Sequence, residues 1–485
     1  MAVTVNTEHP DYKRMKTQWE KGRDCASGQK AIHEAGATYL PKLKGQDDGE
    51  YQAYKNRAQF FNASWRTITA LSGMLLRKPP EIKVPSSIES LLENVTASGK
   101  DINTFIQQVA TEIMTVGRIG ILTDYPPQNT EGMTKADAEK LNLRPSLNIY
   151  NTENIINWKV ELINNQLTLT LLVLTEQAAL PSSDEFEHKT ETHYRVLDLV
   201  NMKVGEASQL IYRVRVYKLD QNSKEQILVS GPNYPMMNGK FIEYIPFVCI
   251  GIDDITMSVD EPPLVDLFDA NIAHYMLDAD LKNGLHFTGL PTAMFWGYTP
   301  AEGEKMTIGS SNGLCFPDPS GHGEYLEYTG QGLEAVSSEK KEIEQQMAIL
   351  GARLLTAEKK DAETAQTAQI HRMGENSILA NIANTLGIGL TKALKIFTEW
   401  AGADPGTVLV TINKEFLPSE ITPQEITAWV GAQQTGTLSP QVVFWNFQKK
   451  EAIPPDLTFE QHQAQIESNP LPGMGNNESG ATDNN

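Results

Sequence analysis

The apolar residues of this chain change period twice, and those two changes divide it before any motif is sought. From residue 11 to about 125 they recur at helical spacing. Tyr12, Met15 and Trp19 form one stripe, and Tyr51, Tyr54 and Ala58 begin an amphipathic run that reaches Leu76. Lys78-Pro79-Pro80 ends that run, because proline lacks the N–H donor and restricts the residue before it. A third helix is expected over 102–115, closed by Gly117, followed by a short buried strand over 119–124. From Leu147 to Gly251 the period falls to two. Segments 147–150, 167–175, 194–200, 210–217, 226–229 and 241–250 are rich in β-branched and aromatic residues, with polar or Gly/Pro turns between them. That pattern predicts an antiparallel meander with one solvated face.

Helical spacing then returns. Pro262-Pro263 opens a run to about residue 286, with proline in its first turn. Residues 287–331 are Gly/Pro-rich with strand-like pieces at 292–296, 313–316 and 325–328. A charged helix follows over 333–355, then a polar break at 356–361 and a long helix to Trp400. The stripe of that last helix is Leu379, Ile382, Leu386, Leu390, Leu394, Phe397 and Trp400. Two short helices are expected near the end. One starts at the capping box Thr422-x-x-Glu425 with Pro423 in its first turn, the other at Ser439-Pro440. From Asn469 the chain is Asn/Gly/Ser-rich without Lys or Arg, a composition that predicts disorder. The fold class is therefore α+β.

Composition narrows the chemistry. The 485 residues carry a formal charge of −20, which argues against a general duplex-DNA binder, since affinity for phosphates comes mainly from Lys and Arg. Cys25, Cys249 and Cys315 are far apart and form no CxxC pair, so reduced thiols in a cytosolic chain are expected. The N-terminus has no basic region followed by an apolar core, and the longest apolar stretch, around 167–174, falls far short of the roughly 20 residues a membrane span needs.

Active-site motifs are mostly absent. Gly99-Lys100 precedes Asp101 and Gly239-Lys240 precedes Phe241, so neither is a P-loop. Gly387-Ile-Gly389 lies inside a helical stripe. Gly309-Ser-Ser311-Asn-Gly313 fits GxSxG, but that elbow needs a strand before the serine and a helix after it, and Leu314 to Pro319 cannot begin such a helix. The nine histidines show no HExxH spacing, and His188 and His193 sit in a charged stretch before a strand. No catalytic residue, metal site or cofactor is expected.

Two spots remain. On the helix at 262–286, Leu264, Phe268 and Tyr275 share one face, and Asp266, Asp269 and Asp280 share the opposite one. An acidic wall would repel DNA phosphates and keep them from sticking. Asp278 lies nearer the apolar side and fits neither face. In the break Glu358-Lys359-Lys360-Asp361, the two lysines are candidates for transient phosphate contact.

The chain resembles a portal-like family of tailed bacteriophages, long labelled only as a domain of unknown function. The resemblance runs through Tyr12-Lys-Arg-x-x-x-x-Trp19, Arg23-Asp24-x-x-x-Gly28, Tyr39-Leu-Pro41, Tyr51-x-x-Tyr54-x-x-Arg57-Ala58-x-Phe60 and Arg66-Thr67. It continues through Gly117-Arg-x-Gly-Ile-Leu-x-Asp-x-Pro126, Asn154-Ile-Ile-Asn-Trp158, Pro262-Pro-Leu-x-Asp-Leu267, Asn271-x-x-His-Tyr275, Gly330-x-Gly-Leu333 and Met347-x-x-Leu-Gly-Ala352. It implies a non-enzymatic subunit of a closed ring, usually of twelve copies, at one capsid vertex. Such a ring conducts double-stranded DNA without sequence preference, docks a terminase motor, and holds a tail adaptor beside the capsid protein or scaffold. It is found in the virion, and in the host cytoplasm during assembly. The implied parts are a wing (1–260), a first stem helix (261–289), a clip (290–331), a second stem helix (332–355), a tunnel loop (356–363), a long wing helix (364–402), a helical crown (403–468) and a disordered tail (469–485). Asp266, Asp269 and Asp280 would line the channel, and Lys359 and Lys360 would approach DNA in the tunnel loop. Residues 420–451 hold three Glu against two Lys, so base readout by the crown helices is not expected. The alternatives are another head–tail connector or virion structural protein, and a serine hydrolase using Ser311.

Overall fold

The computed structural model describes residues 4–126, 140–181, 184–204, 207–220, 223, 225–289, 292–296, 313–316, 322–326, 331–352, 365–414, 416, 421–454 and 456–468. It falls into two units, Met1–Lys414 and Glu415–Asn485. Mixed helix and sheet bear out the α+β class.

The first unit opens with α1 (Pro10–Ser27), α2 (Gln29–Ala35), α3 (Asp48–Arg57), α4 (Ala63–Leu75) and α5 (Ile102–Val116). Three of these starts have a cap in the neighbouring sequence. Pro10 lies in the first turn of α1, and the His9 imidazole accepts the Asp11 N–H; Asp47 and Glu50 form a capping box for α3; Asp101 accepts the N–H groups of Asn103 and Thr104 at α5. Gly117 ends α5 at φ 79°, a left-handed conformation costly for other residues. The single amphipathic run expected over 51–76 is two helices. It breaks after Arg57 because the Gln59 N–H is drawn to the Asp278 carboxylate (2.7 Å) and Asn62 caps a new helix through the Trp65 N–H (2.8 Å).

Eleven strands follow or interleave: β1 (Glu81–Lys83), β2 (Arg118–Asp124), β3 (Ser146–Asn151), β4 (Ile155–Ile163), β5 (Gln166–Ala179), β6 (Thr190–Val204), β7 (Ala207–Leu219), β8 (Gln226–Asn233), β9 (Met236–Met237), β10 (Lys240–Phe241) and β11 (Phe247–Gly251). The order β4-β5-β6-β7-β8 is an antiparallel meander that holds four of the six expected segments, as β5 to β8; 147–150 and the end of 241–250 lie outside it, in β3 and β11, and β4 is a strand beyond those expected. A second antiparallel sheet, β11-β2-β3, lies at the core. Trp19, Tyr12 and Met15 of α1 join Trp158, Leu172, Leu197, Tyr212 and Phe247 in one apolar cluster, which seats the helices on the sheets. The strand expected over 241–250 is shorter, since β10 ends at Phe241 and β11 begins only after Pro246.

Beyond the sheets come α6 (Val265–Thr288), β12 (Thr292–Trp296), β13 (Gly313–Phe316), β14 (Gly323–Leu326), α7 (Gln331–Met347), α8 (Ala365–Trp400) and β15 (Leu409–Thr411). Helix α6 starts three residues later than expected, so Pro262-Pro263 precede it rather than occupy its first turn. The small sheet is ordered β13-β12-β14, with β13 parallel and β14 antiparallel to the central strand. The helix expected over 333–355 is α-helical only to Met347, then takes one π-type turn at Ala348–Ala352. β15 pairs with β1 across most of the chain. The second unit holds α9 (Pro423–Gln434), α10 (Pro440–Lys449) and α11 (Phe459–Ser468). The capping box Thr422/Glu425 and the Ser439 cap form as expected; α11 is a third helix beyond the two expected there.

Candidate functional site

Helix α6 packs against α7, and the pairing of their residues sets the direction. Gly284 meets Leu333, Asp278 meets Lys340, His274 meets Glu344, and Leu267 meets Gly351 of the π-type turn. One number rises as the other falls, so the helices are antiparallel. On α7 the inward residues Leu333, Lys340, Ile343 and Met347 step by three, four or seven, and Ile343 and Met347 are buried. A Cβ at Gly284 would stand 2.2 Å from Leu333 Cδ2, so the missing side chain lets the helices approach.

Asp278 joins these helices. Its carboxylate is buried, takes the Lys340 ammonium at 2.6 Å and Lys282 at 3.2 Å, and accepts the Gln59 N–H. Burial alone would raise its pKa, but Lys340 first and then the Gln59 N–H and Lys282 outweigh it and hold the carboxyl below its ordinary value. The ambiguous position of Asp278 on the helical wheel is thereby explained: it faces a partner 62 residues later. Asn271 has a related task. Its amide oxygen accepts the Ser64 N–H and hydroxyl, and its amide nitrogen donates to the Phe61 carbonyl, which holds the first turn of α4. With His274 on Glu344 at 3.0 Å and Tyr275 fully buried, each named residue of Asn271-x-x-His-Tyr275 has a packing or bonding role.

All three carboxylates of the expected acidic face are on exposed residues. Asp269 takes the Lys21 ammonium of α1 at 2.5 Å, and Asp280 accepts the Tyr54 hydroxyl of α3 at 2.5 Å. Burial, and then the Asp280 carboxylate, push the Tyr54 phenol above its ordinary value. One turn on, Arg57 donates to the Asn283 amide oxygen at 3.1 Å. Two of the three acids are thus tied to helices of the same chain, and the Lys21 charge lowers the field of that face at Asp269. Asp266 stands in the first turn of α6, where a negative charge also suits the helix dipole.

Lys359 and Lys360 lie outside the described residues, as do Gly309 and Ser311. The strand at this motif, β13, begins at Gly313, after the serine rather than before it, the reverse of a hydrolase elbow. His193 is within β6 and contacts Glu191 at 2.8 Å, while His188 is exposed. Among the described residues no group of three His, Cys, Asp or Glu is arranged to hold a metal ion, and no helix is long and apolar enough to cross a membrane.

Residues 263–401 match the family model described as Domain of unknown function (DUF4055), a stretch spanning α6, the small sheet, α7 and α8. Among curated proteins none matches the chain. Solved structures similar to it include the virion of a native gene transfer agent particle, at 11% identity over 84% of this chain and 96% of that one, TM-score 0.38. The neck of an empty gene transfer agent particle, computed with C6 symmetry, is 12% identical over 84% and 95%, TM-score 0.36. The neck of a native particle, computed with C12 symmetry, is 10% identical over 79% and 88%, TM-score 0.35.

Proposed function

We propose that this chain is the subunit of a portal ring, a non-enzymatic channel at one capsid vertex through which double-stranded DNA is packaged and ejected. The observation that carries the reading is the α6–α7 pair: two antiparallel helices, joined by a buried Asp278–Lys340 bridge, that lead into and out of one small sheet. That is the stem-and-clip order implied by the portal-like resemblance. The helices and sheets before α6 make the wing, α8 crosses it, and α9 to α11 belong to the crown.

The stem needs a rigid body and a weakly adhesive surface. Lys340, Asp278 and Gly284 supply the first by locking the helices at close approach. Asp266, Asp269 and Asp280 supply the second as channel-lining groups, with Asp269 partly neutralised by Lys21. Lys359 and Lys360 give the tunnel loop its transient phosphate contact. The terminase supplies the work of packaging, the capsid protein or scaffold surrounds the wing, and the tail adaptor takes the outer end.

Electron microscopy of the purified assembly tests this directly: a ring with an open axial channel is expected. A particle with no channel would point to another head–tail structural role. For the site residues, Asp266→Asn/Asp269→Asn/Asp280→Asn is expected to slow DNA passage and leave the ring intact. Lys359→Ala/Lys360→Ala is expected to weaken retention of packaged DNA. Unchanged packaging and retention in both variants would remove these residues from the channel.

A further inference from the structure

A groove of about 400 Å³ runs between α8 and the segment around β15. Its apolar floor includes Ile255, Ile388 and Leu409, and Ile388 and Leu409 are 56% and 47% exposed. Lys392, Lys395 and Lys414 stand around it, and no Asp or Glu is among its described lining residues. In a chain with 61 acidic and 41 basic residues, that is a locally inverted charge. Lys392 is exposed along its length, while partial burial of its ammonium holds it below its ordinary value. The backbone of β15 offers little here, because the Val410 N–H already donates to the Thr391 hydroxyl (2.9 Å). Recognition therefore falls to side chains: an apolar group for the floor and carboxylates for the lysines.

The same chain displays such a group elsewhere. Between β5 and β6, Asp184-Glu185-Phe186-Glu187 places one aromatic ring among three acids, and Phe186 is 81% exposed, the most exposed of the large apolar residues described. The turn has a set shape: the Phe186 N–H donates to the Asp184 carboxylate at 2.9 Å, and the Glu187 N–H to the Asp184 carbonyl at 3.2 Å. Glu187 is bridged to Lys189 at 2.6 Å, and the Leu180 N–H donates to the Lys189 carbonyl, closing the hairpin end. A folded turn loses less entropy on docking than a free loop. Among the described residues nothing covers Phe186, which leaves it available to the groove of another copy.

We propose that the Asp184–Glu187 turn of one copy docks in the α8–β15 groove of the next, with Phe186 on the Ile388/Leu409 floor and its flanking carboxylates facing Lys392, Lys395 and Lys414. Knob and groove sit on different parts of one chain, so each copy can pass the contact on to the next, head to tail, as a ring requires. The inference rests on the ring reading, since a head-to-tail series fills every knob and every groove only when it closes into a ring.

The full-length double variant Phe186→Cys/Ile388→Cys tests it, oxidised and run on a denaturing gel beside each single variant, with native mass measured in parallel. Disulfide-linked multimers from the double variant alone are expected. An assembly of ring mass without them overturns the contact and leaves the ring reading standing; the groove would then be open to an acidic segment of a different protein. A monomeric native mass overturns both. Linked multimers without a closed ring support the contact and overturn the ring reading. A second arm uses charge: Lys392→Glu/Lys395→Glu/Lys414→Glu should weaken association at least about tenfold. Adding Glu185→Lys/Glu187→Lys to that chain, which leaves Asp184 to hold the turn, should restore it to within about threefold, and no recovery would overturn the pairing.

Discussion

At the residue scale, Asp278 has the most consequential environment described here. A carboxylate this buried is tolerated because Lys340, Lys282 and the Gln59 N–H satisfy it, and removing one partner leaves a charge with too little compensation. Lys340→Met is expected to destabilise the folded chain by about 2–4 kcal/mol, read from thermal or denaturant unfolding at neutral pH. The sign of the pH dependence follows from the lowered pKa. The bridge contributes its stability above the unfolded carboxyl value of 3.8, and loses it as pH falls through the lower folded value. The gap between the original chain and Lys340→Met should therefore narrow on acidification below about pH 4; a gap independent of pH would mean Asp278 is not the partner that matters. None of this was legible in the sequence. Helical rotation shows which face Asp278 lies on, but not that a lysine 62 residues away will meet it.

At the element scale, most of what is marked locally was legible in the sequence, with α11 and β4 as exceptions, and what depends on distant pairing was not. The capped helices α5, α9 and α10 start where Asp101, Thr422 and Ser439 place them, because a cap needs only the next three residues. The same signal marked α11: the Thr458 hydroxyl accepts the Gln461 N–H, and the Gln461 amide oxygen accepts the Thr458 N–H. Thr458→Ala is expected to cost about 1 kcal/mol locally and to speed amide exchange over 459–468 without changing exchange in α5. Strand β4 is a strand beyond those expected, although its signal is local. Its sequence does alternate, with Ile156, Trp158, Val160 and Leu162 apolar and Asn157, Lys159 and Glu161 polar, but only its first half is buried: Val160 and Leu162 are exposed. β1 and β15 hold only three residues each and find each other across more than 300 positions, beyond the reach of any periodic pattern. Gly22 shows the same limit. A Cβ there would lie 2.7 Å from the Thr115 carbonyl oxygen and 2.9 Å from the Phe268 ring, so α1 needs glycine to reach α5 and α6. Gly22→Ala is expected to lower stability by about 1–3 kcal/mol in an unfolding experiment, because a backbone carbonyl cannot step aside as a side chain can.

At the scale of the whole molecule, the charge of −20 takes on a more particular meaning than exclusion of a DNA grip. It is distributed unevenly: acids share one face of α6 and the exposed turn at Phe186, while a groove at α8 carries three lysines and no described carboxylate. The acidic face of α6 was legible from helical rotation, but its ties to Lys21 and Tyr54 were not, because they come from helices more than 200 residues earlier. The groove was illegible for the same reason, being built from segments that meet only in the fold. Uneven charge of this kind suits a head-to-tail assembly around a polyanion, in which most surfaces repel DNA and a few attract a neighbouring subunit. The most direct test of that picture is the native mass of the purified assembly. Twelve copies of the 53.8 kDa chain, about 650 kDa, is the expected result for a portal ring. A mass of one chain at the concentrations used for assembly would contradict it.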